Sequence, residues 1–362
     1  MNEKWSRLDQ HMSQAGIDTL LITDPKHVYY LTGFASNPHE RFLGAVYKRG
    51  EQPFLVVPAL DEAAARAASD VEQIVTHTDT DNPYALLKQA LKGSTGVIGL
   101  EKNNLSVTRY EALQAELAFT EARNIGDWLQ SMRVIKSAEE VHKLQHAVNL
   151  IEEVLKQGVS RVQIGMTENE MVAEIEYLMR KAGAEGPSFD TMVLSGEKTA
   201  LPHGVPGTRQ IQPGDLLMFD MGVYAAGYAS DITRTFAVGG LSDELTRMYN
   251  TVLAANEAAI AAIKPGISFG SIDKAARDVI SEAGYGPYFL HRLGHGLGID
   301  VHEYPSVHGE NQDLLQAGNV FTVEPGVYLP GKGGVRIEDD VLVTEQGVSV
   351  LTSYPKELTI IG

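Results

Sequence analysis

Gln212-Pro-Gly-Asp-Leu-Leu-Met-Phe-Asp220-Met-Gly-Val-Tyr224 is echoed 104 residues later by Gln316-Ala-Gly-Asn-Val-Phe-Thr-Val-Glu324-Pro-Gly-Val-Tyr328. The two stretches share glycines, Gly214 with Gly318 and Gly222 with Gly326, and both close on Val-Tyr. Each apolar run carries one carboxylate at the same offset, Asp220 in the first copy and Glu324 in the second. A carboxylate on a strand that is apolar on both sides is costly to bury unless it is paired or binds a metal. Two of them in matched strands call for a shared counter-charge.

A second carboxylate-bearing strand follows in each copy, Ser230-Asp231-Ile-Thr-Arg-Thr-Phe236 and Arg336-Ile-Glu338-Asp-Asp-Val341. Asp231 lies eleven residues after Asp220 and Glu338 fourteen after Glu324. Glycine-containing segments at 225–229 and 330–334 separate them, so each pair reads as a hairpin with its carboxylates side by side. The upstream segments repeat as well. Gly165-Met-Thr-Glu-Asn-Glu170 running to Gly183 matches Gly266-Ile-Ser-Phe-Gly-Ser271 running to Gly284. Thr167 with Glu170 forms a capping box, Ser268 takes the equivalent N-cap position, and further helices open at Ser137 and Ser242. Residues 137–362 therefore read as an α+β domain of two similar halves about an approximate two-fold axis. Helices lie outside a curved, mainly antiparallel sheet, and the four carboxylates converge on the axis. Unrelated hairpins with solvent-facing acids would not need such apolar flanks.

Between the halves runs His291-Arg-Leu-Gly-His295-Gly-Leu-Gly-Ile-Asp-Val-His302-Glu-Tyr-Pro305, with three of the eleven histidines. Gly294, Gly296 and Gly298 allow close backbone approach, as in the wall of a crowded site. A lone histidine would read as a packing residue. Four carboxylates and an imidazole instead make a hard, oxygen-rich ligand set suited to Mn²⁺, Co²⁺, Zn²⁺ or Fe²⁺. With two bridging carboxylates, the natural occupancy is two metals ~3.5–4 Å apart, which activate a water and polarise a carbonyl. The reaction class is hydrolysis.

With these residues assembled, the chain resembles the pita-bread metallopeptidases (M24), in the branch of Xaa-Pro dipeptidase (prolidase) and aminopeptidase P. Asp220, Asp231, His295, Glu324 and Glu338 match the family's five metal ligands one by one. The resemblance implies that Asp231 and Glu338 bridge two metals, most readily Mn²⁺, that Asp220 holds one, and that His295 and Glu324 hold the other. It implies that His203 and His302 contact substrate around the scissile bond and that His291 is a third active-site histidine. The resemblance further implies that Glu324 carries the proton from the attacking water to the leaving amine. Arg336, two residues from Glu338, braces that carboxylate or reaches substrate, with bracing favoured.

The resemblance extends over the whole chain. It implies a smaller α/β first domain of the creatinase/prolidase type at residues 1–133, and alternating patterns agree: a helix from Glu3, strands at 19–23, 42–47, 54–57 and 97–100, and a helix at 61–68. The boundary is placed at Arg133–Lys136, before the cap at Ser137. The implied assembly is a homodimer in which the first domain of one subunit borders the active site of the other. The segment from His27 to Phe34 and on through His39 and Arg41 is either that rim or core aromatics followed by a surface loop.

The net charge of −17 disfavours nucleic acid and anionic membrane as partners, and the absence of cysteine excludes thiolate chemistry. Neither a signal-peptide core nor a spanning apolar run is present, which gives a cytoplasmic expectation. His142 and His146 stand i, i+4 on a helix without a zincin glutamate and read as a solvated face. Lys332 among glycines reads as a hairpin turn, and Ser195 as part of a loop near the site. The expected activity is hydrolysis of the bond between an N-terminal residue and a following proline. Dipeptides are the leading substrates, with longer peptides (aminopeptidase P) and a non-catalytic binding module as rivals. Creatinase shares the fold but lacks the five ligands retained here.

Overall fold

The structure, a computed structural model, describes residues 3–362; Met1 and Asn2 of the expected first domain lie outside the described residues. The chain divides into two units, Met1–Met132 and Arg133–Gly362.

In the first unit, α1 (Glu3–Ala15) buries Trp5, Leu8 and Met12 at helical spacing. It is followed by β1 (Thr19–Ile22), α2 (Pro25–Thr32), β2 (Gly44–Lys48), β3 (Phe54–Pro58), α3 (Glu62–Ala68), β4 (Gln73–His77), α4 (Pro83–Leu91), β5 (Val97–Leu100), α5 (Val107–Leu117), β6 (Glu121–Asn124) and α6 (Gly126–Arg133). The sheet order is β4-β3-β2-β1-β5-β6, antiparallel through β1, β2 and β3 and parallel toward both edges. Thr19-Leu-Leu-Ile is buried at all four positions, as a central strand covered on both faces requires. Asp24 caps α2 and Pro25 opens it. This helix turns His27 and Tyr30 inward, Phe34 is buried beyond it, and the Tyr30 hydroxyl donates to the Met132 carbonyl at 2.9 Å. Those members of the candidate rim are core. Arg41 lies in the loop that follows and is paired with Asp79 at 2.7 Å.

The second unit repeats its plan. Its first half comprises α7 (Ala138–Val159), α8 (Glu168–Lys181), β7 (Gly186–Pro187), β8 (Met192–Ser195), β9 (Leu216–Met221), β10 (Val223–Ala225), β11 (Tyr228–Ala229) and β12 (Ile232–Val238). The second half comprises α9 (Asp243–Ala262), α10 (Phe269–Glu282), β13 (Gly294–Gly296), β14 (Glu303–Val307), β15 (Val320–Val323), β16 (Gly326–Leu329), β17 (Gly333–Arg336), β18 (Asp339–Thr344) and β19 (Gly347–Val350), before a final β20 (Ile360–Ile361). Ser137 and Thr167 form complete capping boxes with Glu140 and Glu170, and Ser242 and Ser268 cap the second pair of helices. Each half has its own apolar core, α7 and α8 against the first set of strands and α9 and α10 against the second.

Pairing is antiparallel apart from β12 with β20, and the sheet divides into a four-stranded ladder β20-β12-β9-β8, a five-stranded ladder β14-β13-β15-β18-β19 and smaller hairpins. The carboxylate strands are not continuous as expected. β12 begins just after Asp231 and β18 just after Glu338, because the backbone at both residues bonds across the axis instead of along its own ladder. The Glu338 N–H donates to the Thr233 carbonyl at 3.1 Å, and the Asp231 N–H donates to Asp340 Oδ2 at 3.2 Å. Lys332 sits in the β16–β17 hairpin turn, and His142 and His146 are exposed on α7. Ser195 departs from its expected place: it ends β8, fully buried, and its hydroxyl donates to Glu168 Oε1 at 3.1 Å. The buried Glu168 carboxylate draws it inward. Among the described residues no helix is long and apolar enough to cross a membrane.

Arg234 is buried in the junction, 1% exposed. Its guanidinium donates to Asp339 at 2.8 Å, to the carbonyls of Thr233 and Tyr354 at 3.0 and 2.9 Å, and to the Glu338 carbonyl. Arg234→Met strands Asp339 with Lys356 as its remaining cation. A loss of about 3–5 kcal/mol is expected, read as a lowered denaturant midpoint of the second unit.

Candidate metal centre

Asp220 is placed by β9, where it pairs in register with Thr233 of β12. Glu324 follows β15, its N–H donating to the Leu293 carbonyl at 2.8 Å. His295 is the middle residue of β13. A side chain at Gly294 or Gly296 would collide with the backbone of Thr322 or Tyr304, so the glycines serve close strand approach on both sides of the imidazole. A Cβ added at Gly298 would likewise meet the Glu303 carboxylate, at 2.6 Å.

Asp231, His295 and Glu338 bring their ligand atoms within 4.8 Å of one another, all buried. His295 Nε2 lies 3.7 Å from Asp231 Oδ2 and 3.3 Å from Glu324 Oε1. Burial, with His302 alongside, pushes the His295 pKa down to about 3, so the ring is neutral. With Nδ1–H donating to the Gly296 carbonyl at 3.2 Å, the lone pair of Nε2 faces the carboxylates. Acceptor confronts acceptor there. Asp231 Oδ1 and Glu338 Oε1 are buried without a hydrogen-bond partner. Burial and then neighbouring carboxylates raise both acids well above the usual range, Glu338 acting first on Asp231 and Glu324 first on Glu338. Buried lone pairs converging without a donor fit divalent cations, and the donor set is oxygen-rich with one imidazole.

These residues line a cleft of about 520 Å³ shared with Asp220, His203, His291, His302 and Arg292. His203 and His302 are exposed within it, and the His302 ring stands 4.1 Å from that of His295. His291 is held by the protein at both nitrogens: Nδ1 lies 2.8 Å from the Arg292 carbonyl and Nε2 2.9 Å from the Tyr328 hydroxyl. Burial pushes its pKa down to about 4. Arg336 differs from expectation. Its guanidinium contacts Asp220, the Thr233 hydroxyl at 3.1 Å and the Tyr328 hydroxyl at 2.8 Å. The two-residue spacing to Glu338 misleads because the strand breaks between them. Thr233 takes the expected partner, its hydroxyl donating to Glu338 Oε2 at 2.7 Å.

Tyr328 and Thr233 were not singled out as site residues. The repeated Val-Tyr offered a signal for Tyr328, while Thr233 had only its place beside Asp231. In the first unit Asp24, His27 and Glu101 also cluster. There the hydrogen bonding is complete around Glu101, which accepts from the N–H groups of Thr23 and Asp24 and faces His27.

Residues 142–345 match the model of metallopeptidase family M24, and residues 4–135 that of the creatinase/prolidase N-terminal domain. The chain is 44% identical over 358 residues, 98% of its length and 99% of the relative's, to a Bacillus subtilis (strain 168) protein named "Putative dipeptidase YkvY". It superposes on an Xaa-Pro dipeptidase from Bacillus anthracis with a TM-score of 0.93 at 35% identity, covering 99% of both chains. An X-Pro aminopeptidase from Thermotoga maritima MSB8 gives a TM-score of 0.88 at 34% identity, covering 96% of this chain and 98% of that one.

Metal addition tests the centre without any substrate. Mn²⁺ is expected to raise the melting temperature of chelator-stripped protein in a concentration-dependent way, by linkage to the folded state. The shift should vanish in an Asp231→Asn/Glu338→Gln double variant.

Proposed function

The chain belongs to metallopeptidase family M24, and from that membership we propose that it is a dinuclear-metal peptidase cleaving between an N-terminal residue and a following proline, with Xaa-Pro dipeptides as substrates. The observation that carries the dinuclear reading is the pair of buried, unpartnered carboxylate oxygens, Asp231 Oδ1 and Glu338 Oε1, beside a neutral His295. In this reading Asp231 and Glu338 would be shared by two divalent ions, with Asp220 holding one and His295 with Glu324 holding the other. The ions, most readily Mn²⁺ with Co²⁺, Zn²⁺ or Fe²⁺ as alternatives, supply Lewis acidity and an activated water when bound. Arg336 contacts Asp220 and orients its carboxylate. Glu324 takes the proton released as water adds to the scissile carbonyl and delivers it to the proline nitrogen as the C–N bond breaks. His203 and His302, exposed on the cleft wall, grip the peptide around that bond. The expected homodimer and cytoplasmic setting remain part of this reading.

An aminopeptidase P activity toward longer peptides uses the same ligands and is favoured by the Thermotoga likeness. Ala-Pro assayed beside Ala-Pro-Xaa tripeptides separates the two. Hydrolysis of the dipeptide at the higher kcat/KM is expected, and tripeptide preference would transfer the assignment. Exhaustive chelation should abolish cleavage and Mn²⁺ restore it, whereas full activity in verified metal-free protein would sink the mechanism.

Replacing either bridging candidate, Asp231 or Glu338, by Ala should remove both ions from the protein, as read by elemental analysis. Ala at His203 or His302 should instead leave metal content near normal while lowering kcat/KM by ~10²–10⁴-fold, the range for positioned acid–base or polarising groups.

A further inference from the structure

Arg133 and Lys136 precede the repeated helices and belong to neither carboxylate hairpin, yet they are 3% and 6% exposed. Both reach the loop that runs from His295 to β14. Arg133 Nη2 donates to Asp300 Oδ2 at 2.6 Å and to Glu303, while Lys136 Nζ donates to Glu303 Oε1 at 2.7 Å. The Glu303 side chain is 1% exposed. Burial alone would raise its carboxyl, but Lys136 and Arg133 outweigh that and hold it below the usual range.

The segment bearing the two cations is itself pinned. The Lys136 N–H donates to the Gly318 carbonyl at 2.8 Å, Ile135 bridges Asn319, and Asn319 Nδ2 donates to the Val134 carbonyl at 3.3 Å. On the loop side, the Gly298 N–H donates to the Asp300 carbonyl at 3.0 Å, and the Ala229 N–H donates to the Gly298 carbonyl at 2.8 Å. His302 lies in the chain between the two captured acids. Three buried charges and a half-buried one add little stability over apolar groups of the same volume, so their value here is in fixing one loop geometry. Lys136 also falls between the two family matches, which end at 135 and begin at 142.

We infer that Arg133 and Lys136 are positioning residues for His302: through Asp300 and Glu303 they hold the loop that presents its imidazole to the substrate. The inference rests on His302 being a substrate contact, as in the proposed function. In full-length, metal-loaded protein, Lys136→Met is expected to lower kcat on Ala-Pro by about 10–100-fold with little change in KM, as displacement of a positioned group does. Lys136→Arg should recover most of the loss. In a His302→Ala background Lys136→Met should cost little more, because the two changes remove one function. A readout independent of substrate is hydrogen–deuterium exchange, expected to quicken at residues 297–304 in Lys136→Met and not elsewhere in the second unit.

A full additional loss in the His302→Ala background, or unchanged exchange of the loop, overturns the inference. Should Lys136→Met not fold, Asp300→Asn, at a carboxylate 31% exposed, takes its place. Wild-type kinetics and exchange in that variant would likewise overturn it. If the wild-type protein cleaves no Xaa-Pro peptide, the proposed function falls and the exchange measurement alone decides this inference.

Discussion

Four carboxylates brought to one buried junction are the constraint around which the second unit is organised. Like charges in a low-dielectric interior repel strongly, and water cannot screen them there. The fold answers with protein groups where it can. Arg336 takes Asp220, the Thr233 hydroxyl takes one oxygen of Glu338, and Arg234 with Lys356 takes Asp339 just beyond it. What remains unanswered is Asp231 Oδ1 and Glu338 Oε1, in the cluster that these two carboxylates form with His295. The unmet electrostatic demand is concentrated around these two acids and Asp340, whose Oδ1 is likewise buried without a partner.

The cross-axis bonding follows from the same geometry. Asp231 matches Glu338 in the repeat, and the residues two further on, Thr233 and Asp340, each contact the opposite half's matched residue. Such reciprocity is the signature of an approximate two-fold axis. It explains why β12 and β18 begin where they do: the backbone at each carboxylate is committed to the other half. A strand ladder continuing through these positions would turn the acids away from each other.

Much of this was legible because duplication leaves a pattern that needs no propensity argument. Asp220 with Glu324 and Asp231 with Glu338 could be paired by offset, and the serine and threonine caps marked all four helices of the second unit. Less was legible where long side chains choose partners across the axis. The same-face rule tied Arg336 to Glu338, but it holds only along an unbroken strand. Ser195 was drawn inward by Glu168, which sits 27 residues earlier on α8. In the first unit the segment from His27 to Phe34 stays open between rim and core in the sequence, because the eight residues of α2 are too few for a clear period.

The duplication is also where the two halves part. Strand register sets Gly296 opposite Phe321 and Ser195 opposite Leu217, and Phe321 and Leu217 are themselves matched by the repeat. His295 therefore occupies the place of Leu194, which is buried and apolar. One half supplies an imidazole flanked by glycines where the other supplies core packing. The carboxylates stay symmetric while their surroundings do not: Asp220 is paired with a guanidinium, whereas Glu324 faces the acceptor nitrogen of a neutral imidazole. Two ions held between such halves would meet different ligand fields. In a two-ion occupancy the single histidine, more than the four acids, would make the two positions chemically distinct.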